Sequence, residues 1–97
     1  MGDEHDEATV GRYCDLLRQA RLAEKQHYVG RALRLFRLAT RVAVEEYGQN
    51  SLEVGCVVSD LAVFYDRLGY KEQADEAYER LSDILRVRVK ANPGELI

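Results

Sequence analysis

Apolar residues recur along this chain in steps of three and four, which is the spacing of one face of an α-helix. Four segments carry this pattern, and it predicts helices over about 8–26, 29–47, 51–68 and 71–90. The connections between the segments are short, so consecutive helices are expected to lie antiparallel as two hairpins. The pattern therefore predicts an all-α fold.

Turn residues mark the ends of these segments. Gly48 suits the left-handed cap position at the end of the second helix, and Gly69 closes the third. Asn50 is expected to cap the start of the third helix, with Glu53 three residues later in capping-box spacing. The run Asn92-Pro93-Gly94 predicts a stop after the fourth helix.

The chain nearly repeats itself with a period of 42 residues. The pairs that carry this repeat are Cys14 and Cys56, Leu16 and Val58, Ala20 and Ala62, Tyr28 and Tyr70, Ala32 and Ala74, Phe36 and Tyr78, and Val42 and Ile84. A period of about 20–50 residues indicates stacked modules that cover one another's apolar faces. The repeat favours a helical binding scaffold over a catalytic domain.

The 97 residues are expected to form one domain. We divide it into a flexible acidic lead-in (1–7), a first repeat (8–48), a second repeat (50–91) and a tail (92–97). The single proline lies beyond the last apolar stripe, which is typical of an all-helical protein.

Composition and motifs exclude several classes of function. The net charge of −3 argues against a nucleic-acid partner. No apolar run approaches the roughly 18 residues of a membrane span, and the acidic N-terminus lacks a signal-peptide core, so a cytoplasmic protein is expected. The chain has no phosphate-binding loop, zinc signature or nucleophile elbow, and His5 and His27 lack catalytic partners. We expect no enzyme activity, no cofactor and no metal.

The second copy of the repeat resembles a known family. It contains Leu61-Ala62-x-x-Tyr65, then Gly69-Tyr70, Ala74 and Tyr78, which is similar to a tetratricopeptide repeat (TPR). The first copy matches through Ala20, Ala23, Tyr28, Ala32, Phe36 and Ala39. The period exceeds the usual length of about 34 residues and resembles the kinesin-light-chain type. The resemblance implies a short right-handed solenoid of two stacked hairpins.

The resemblance also implies a peptide-binding groove lined by the first helix of each hairpin. The matching residues are Cys14, Leu17, Arg18, Arg21, Lys25, Cys56, Ser59, Asp60, Val63 and Arg67. The cations among them predict a mostly basic strip that receives an acidic or extended peptide. The competing interpretation is that these residues form solvated helix faces. Leu17 and Asp60 exclude the two-carboxylate clamp of the chaperone-tail subtype.

Two repeats leave the last hairpin without a neighbour. The residues expected to be exposed there are Tyr78, Leu81, Ile84, Leu85 and Val89. An exposed apolar patch of this kind marks an interface, and we expect a two-fold homodimer through the C-terminal hairpin. The alternative is a piece of a longer repeat array, although Met1 and the polar tail favour a complete short protein.

The leading function is a non-enzymatic adaptor that binds a protein or peptide segment in its groove. The first alternative is a structural oligomerisation module. The second is a redox sensor that uses Cys14 and Cys56, which are expected on neighbouring parallel helices. Against that alternative, the two cysteines are also expected to act as small, half-buried apolar residues.

Overall fold

The computed structural model describes residues 11–91, and side chains for residues 11–89. Within this part of the chain there are four α-helices and no strand. The helices are α1 (Arg12–Lys25), α2 (Val29–Tyr47), α3 (Leu52–Arg67) and α4 (Lys71–Ala91). The all-α prediction is confirmed, and the bounds of α2 are those expected from the sequence.

Three sequence predictions lie outside the described residues. They are the acidic lead-in over 1–7, the first residues of the first helix over 8–10, and the stop and tail over 92–97. Among the described residues, Gly11 lies just before α1 rather than within it. The other differences from the predicted boundaries are one residue each, at the end of α1, at both ends of α3 and at the end of α4.

The two hairpin turns share one hydrogen-bond pattern. In each turn, two backbone N–H groups donate to carbonyl oxygens of the preceding helix, with N···O distances of 2.8–3.0 Å. The bonds, donor first, are His27 to Glu24 and Tyr28 to Ala23 in one turn, and Gly69 to Asp66 and Tyr70 to Tyr65 in the other. These residues are 42 positions apart, so the repeat is present in the backbone as well as in the side chains. The pattern satisfies carbonyls that a helix end otherwise leaves unpaired.

The shared turn places a residue with positive φ in each hairpin. Gly69 has φ +79°, and His27 holds the same place with φ +67°. The histidine pays a steric cost that glycine avoids, roughly 1–2 kcal/mol for an L-residue in the left-handed region. His27 therefore occupies a turn position that the backbone hydrogen bonds define.

Ser51, rather than Asn50, caps the start of α3. Its backbone is extended (φ −79°, ψ 159°), and its Oγ accepts a hydrogen bond of 3.1 Å from the Val54 N–H. The prediction for Asn50 is wrong by one residue. The helix begins at Leu52, and the side chain that reaches the Val54 N–H is that of the residue directly before it, Ser51.

The core lies where α2 meets the second hairpin. The Phe36 ring of α2 packs against the Phe64 ring of α3 with centroids 5.0 Å apart, and both side chains are buried. Small residues surround this contact and let the helices approach closely. The fully buried alanines are Ala20, Ala32, Ala39, Ala43 and Ala62. The two hairpins therefore share one hydrophobic core.

Replacing Phe36 by alanine is expected to lower the free energy of unfolding by about 3–5 kcal/mol, because it leaves a cavity beside Phe64. Leu38→Ala, two residues along the same helix, alters a side chain that is 42% exposed. It is expected to cost less than about 1 kcal/mol. Chemical denaturation of both variants measures the difference, and equal losses would contradict a shared core at Phe36.

Two glycine-to-alanine substitutions are expected to act in opposite directions. Gly69→Ala should cost about 1–2 kcal/mol through the positive φ alone, because a Cβ there meets nothing within 4 Å. A Cβ at Gly30 also meets nothing within 4 Å, but Gly30 lies in the first turn of α2, where the backbone is helical. It should raise the free energy of unfolding by up to about 1 kcal/mol. The same denaturation measurement applies, and a neutral Gly69→Ala would contradict the strained turn.

Candidate functional site

Two ion pairs join α1 to α3 side by side. Arg21 of α1 pairs with Asp60 of α3, and Glu24 of α1 accepts from Arg67 of α3 at 2.9 Å. The partners are 39 and 43 residues apart, close to the repeat period. Equivalent helices of the two repeats are therefore neighbours, and their outward side chains form one continuous surface. We call this surface the α1–α3 surface.

Nine of the ten predicted groove residues contribute to the α1–α3 surface. Those with exposed side chains are Cys14, Arg18, Arg21, Lys25, Cys56, Val63 and Arg67. Ser59 and Asp60 are half-buried. Leu17 is a wrong assignment: it is 4% exposed and belongs to the core with Ala20, three residues along the same helix face.

The predicted basic strip is partly neutralised by carboxylates. Asp60 and Glu24 hold Arg21 and Arg67, and Asp15 pairs with Arg18 one helical turn away. Asp15 and Glu24 were not among the predicted groove residues. The spacing of Glu24 and Arg67, one residue more than the repeat period, is the sequence signal that identifies them as neighbours.

A cleft of about 680 Å³ opens at the C-terminal end of α1. The residues that line it are Arg18, Arg21, Leu22, Glu24, Lys25, His27 and Arg67. Four cationic side chains and one imidazole thus face one carboxylate and one apolar side chain. The cleft is the part of the α1–α3 surface where positive charge remains in excess.

Leu22 is the apolar residue of this cleft, and its side chain is 55% exposed. Sequence analysis missed it as a site residue. It lies four residues after Arg18 and three before Lys25, which is the spacing of one helix face. That spacing, applied to α1 alone, brings the leucine and the two cations together.

The opposite end of the α1–α3 surface carries both cysteines as free thiols. Both are exposed, so the expectation of half-buried apolar residues is wrong. Although the residue as a whole is exposed, neighbouring atoms partly desolvate the Cys56 sulfur and raise the pKa of its thiol, and the Asp60 carboxylate raises it further. Desolvation also raises the pKa of the Tyr13 hydroxyl, as does its hydrogen bond with Cys14. A raised pKa keeps the Cys56 thiol protonated near neutral pH, which lowers its nucleophilicity.

Metal ligands do not cluster in the described part of the chain. Among residues 11–89 no group of three or more His, Cys, Asp and Glu side chains is placed to hold a metal ion. No described helix combines the length and the apolar character that crossing a membrane requires.

A second surface lies on the outer side of α4. Its apolar side chains are Tyr78, Leu85 and Val89, which are 39%, 50% and 41% exposed. We call these three residues the α4 face. Leu81 is partly buried against the core. Ile84, which the sequence also predicts in this interface, is a wrong assignment.

Ile84 is 1% exposed because it points toward α3. A Cβ added to Gly55 of α3 would lie 3.7 Å from Cγ2 of Ile84 and 3.5 Å from Cδ1 of Leu81. These are ordinary van der Waals distances, so Ile84 and Leu81 pack directly against α3 at Gly55.

Comparisons of this chain with protein-family models, curated proteins and solved structures find no match. The resemblance to TPR therefore rests on the residues of the two repeats and on the hairpin turn that both share. The candidate site rests on the geometry of the α1–α3 surface.

Proposed function

We propose that the chain is a non-enzymatic interaction module of the TPR type. Its α1–α3 surface binds an extended protein segment that carries carboxylates around a leucine-sized apolar side chain. The observation that carries the proposal is the cleft, where Arg18, Arg21, Lys25 and Arg67 surround Leu22. Arginine donates two parallel hydrogen bonds to a carboxylate, which fixes its orientation as well as its position.

The ion pairs of the cleft favour exchange with a ligand. The Arg21 and Arg67 side chains remain 54% and 60% exposed within their pairs, and Arg18 remains 72% exposed. Solvent-exposed ion pairs of this kind contribute about 0–1 kcal/mol each. A ligand carboxylate can therefore bind the exposed side of Arg21 and Arg67 while Asp60 and Glu24 stay in place, and it can replace Asp15, the most exposed of the three carboxylates, at Arg18.

Leu22 supplies the apolar part of recognition. Charged contacts at an exposed surface mainly steer and orient a partner, whereas buried apolar area adds affinity. Complete burial of a leucine contributes about 1.5–3 kcal/mol, and covering the exposed half of Leu22 contributes a corresponding share. A segment that matched only the charges would bind more weakly.

A cytoplasmic location is part of the proposal. Two exposed free thiols are compatible with a reducing compartment, where disulfides are rare. The net charge of −3 disfavours nucleic acid as the partner, so the proposed partner is a protein segment.

The double variant Arg18→Glu/Lys25→Glu tests the cleft. The probe is a fluorescent peptide with one leucine among glutamates, and its anisotropy measures binding. The variant is expected to weaken binding by at least about tenfold, because each change replaces an attraction by a repulsion. Added salt should weaken binding to the unmodified protein, since these charges are exposed to solvent.

Arg34→Glu/Arg41→Glu is the matched control. These two arginines of α2 are also exposed and also seven residues apart, but they do not line the cleft. The control variant has the same net charge and should bind the peptide as the unmodified protein does. Equal loss in both double variants, or equal binding of a lysine-for-glutamate peptide, would contradict recognition at the cleft.

Redox sensing through the cysteines is the competing function. The raised pKa of the Cys56 thiol supports the adaptor proposal over it, because the thiolate is the reactive form. In the Cys14→Ser variant, Cys56 is expected to react with Ellman's reagent more slowly than free cysteine near neutral pH. The Cys56→Ser variant reports Cys14 separately. A Cys56 rate above that of free cysteine would favour the redox function instead.

A further inference from the structure

The α4 face has a buried counterpart in the first repeat. Phe36 and Ala43 lie 42 residues before Tyr78 and Leu85, and they are 1% and 0% exposed. Tyr78 and Leu85 are 39% and 50% exposed. The difference arises because α3 packs over α2 at Phe36, whereas no described element packs over α4 at Tyr78.

The α1 helix of a second copy is poorly suited to cover the α4 face in the way that α3 covers α2. Phe64 shares its face of α3 with Val57 and Leu61, at helical spacing. Forty-two residues before these three positions, α1 carries Asp15, Gln19 and Leu22, all exposed, so two of the three matching side chains are polar. Burying this carboxylate and amide against apolar side chains without partners costs several kcal/mol by transfer data, roughly 2–7 for a neutral polar group alone. Head-to-tail stacking of copies is therefore disfavoured by Asp15 and Gln19.

We propose that the α4 face pairs with the α4 face of a second copy, antiparallel about a two-fold axis. Tyr78, Ser82, Leu85 and Val89 follow one another at steps of four, three and four, the spacing of a coiled-coil seam. Antiparallel pairing sets Tyr78 of one copy against Val89 of the other, and Ser82 against Leu85. This surface is separate from the cleft, so the pairing leaves peptide recognition unaffected.

The charges that flank the α4 face select the antiparallel orientation. Glu72, Glu79 and Arg86 follow at steps of seven along one border of the face. Antiparallel pairing places Glu79 of each copy beside Arg86 of the other, whereas parallel pairing puts this border of the two copies on opposite sides of the seam and leaves both charges without that partner. Arg86 pairs within its own chain with Asp83 at 3.0 Å, and both side chains are more than half exposed. Such a pair is weak enough to permit a second, intermolecular partner.

Light scattering after size-exclusion chromatography measures the mass of the 97-residue chain and tests the pairing. The chain is loaded at concentrations from about 10 to about 500 μM. The expected mass is about 22 kDa, twice the 11.1 kDa of one chain, at the upper concentrations. A mass of one chain throughout would overturn the proposal. A mass that keeps growing with concentration would also overturn it, because a two-fold interface closes at two copies.

Leu85→Glu is expected to raise the dimer dissociation constant by more than about tenfold, because it places a carboxylate in the seam of both copies. Leu38→Glu is the matched control, since Leu38 has similar exposure on α2. It should leave the mass unchanged. Circular dichroism checks that both variants remain helical. Dimers that survive Leu85→Glu, or that are lost equally in both variants, place the interface elsewhere.

A charge exchange tests the orientation. Glu79→Arg alone and Arg86→Glu alone should each weaken the dimer, because each places like charges beside one another across the interface. The double variant restores opposite charges and should recover most of the lost affinity. If the double variant is weaker than either single one, the antiparallel pairing is wrong.

Discussion

The packing of Phe36 against Phe64 is the contact on which the arrangement of the two hairpins depends. The rings lie 5.0 Å apart in a buried environment. Burying such a side chain contributes about 1.5–3 kcal/mol, and the aromatic pair adds about 0.5–1.5. The ion pairs between α1 and α3 are exposed and contribute at most about 1 kcal/mol each. The aromatic core therefore holds α3 beside α1, and the ion pairs follow from that position.

This division explains how one surface can be both well positioned and open to a ligand. The side chains that set the helix positions are buried, so the proposed ligand would leave them in place on binding. The arginines that face the cleft contribute little to folding and can change partners. The turn at His27, which has a positive φ, also helps to position the surface. Its backbone hydrogen bonds fix the end of α1 next to the cleft.

Apolar periodicity predicts the helices and their order, because each helix buries one continuous stripe. Glycine and the 42-residue repeat predict the turns, because the conformation of a turn depends on the few residues within it. The resemblance to a repeat family predicts less well which face of a helix an individual residue lies on. Leu17 and Ile84 were assigned to surfaces, yet each lies on the stripe of its own helix and is buried. The ion-pair partners also escaped prediction, since the contact of Glu24 with Arg67 depends on packing between separate hairpins.

The differences between the two repeats indicate which faces the molecule buries. Where α3 presents Val57 to its neighbours, α1 presents Asp15 to solvent, so this face is more polar in the first repeat than in the second. The α4 face shows no such change. Leu85 stands where α2 has the smaller Ala43, and Tyr78 retains the aromatic character of Phe36. A helix face exposed to water has no physical need of these side chains, and leaving them uncovered forgoes their burial energy. The composition of α4 therefore supports the proposed pairing of the α4 face with a second copy.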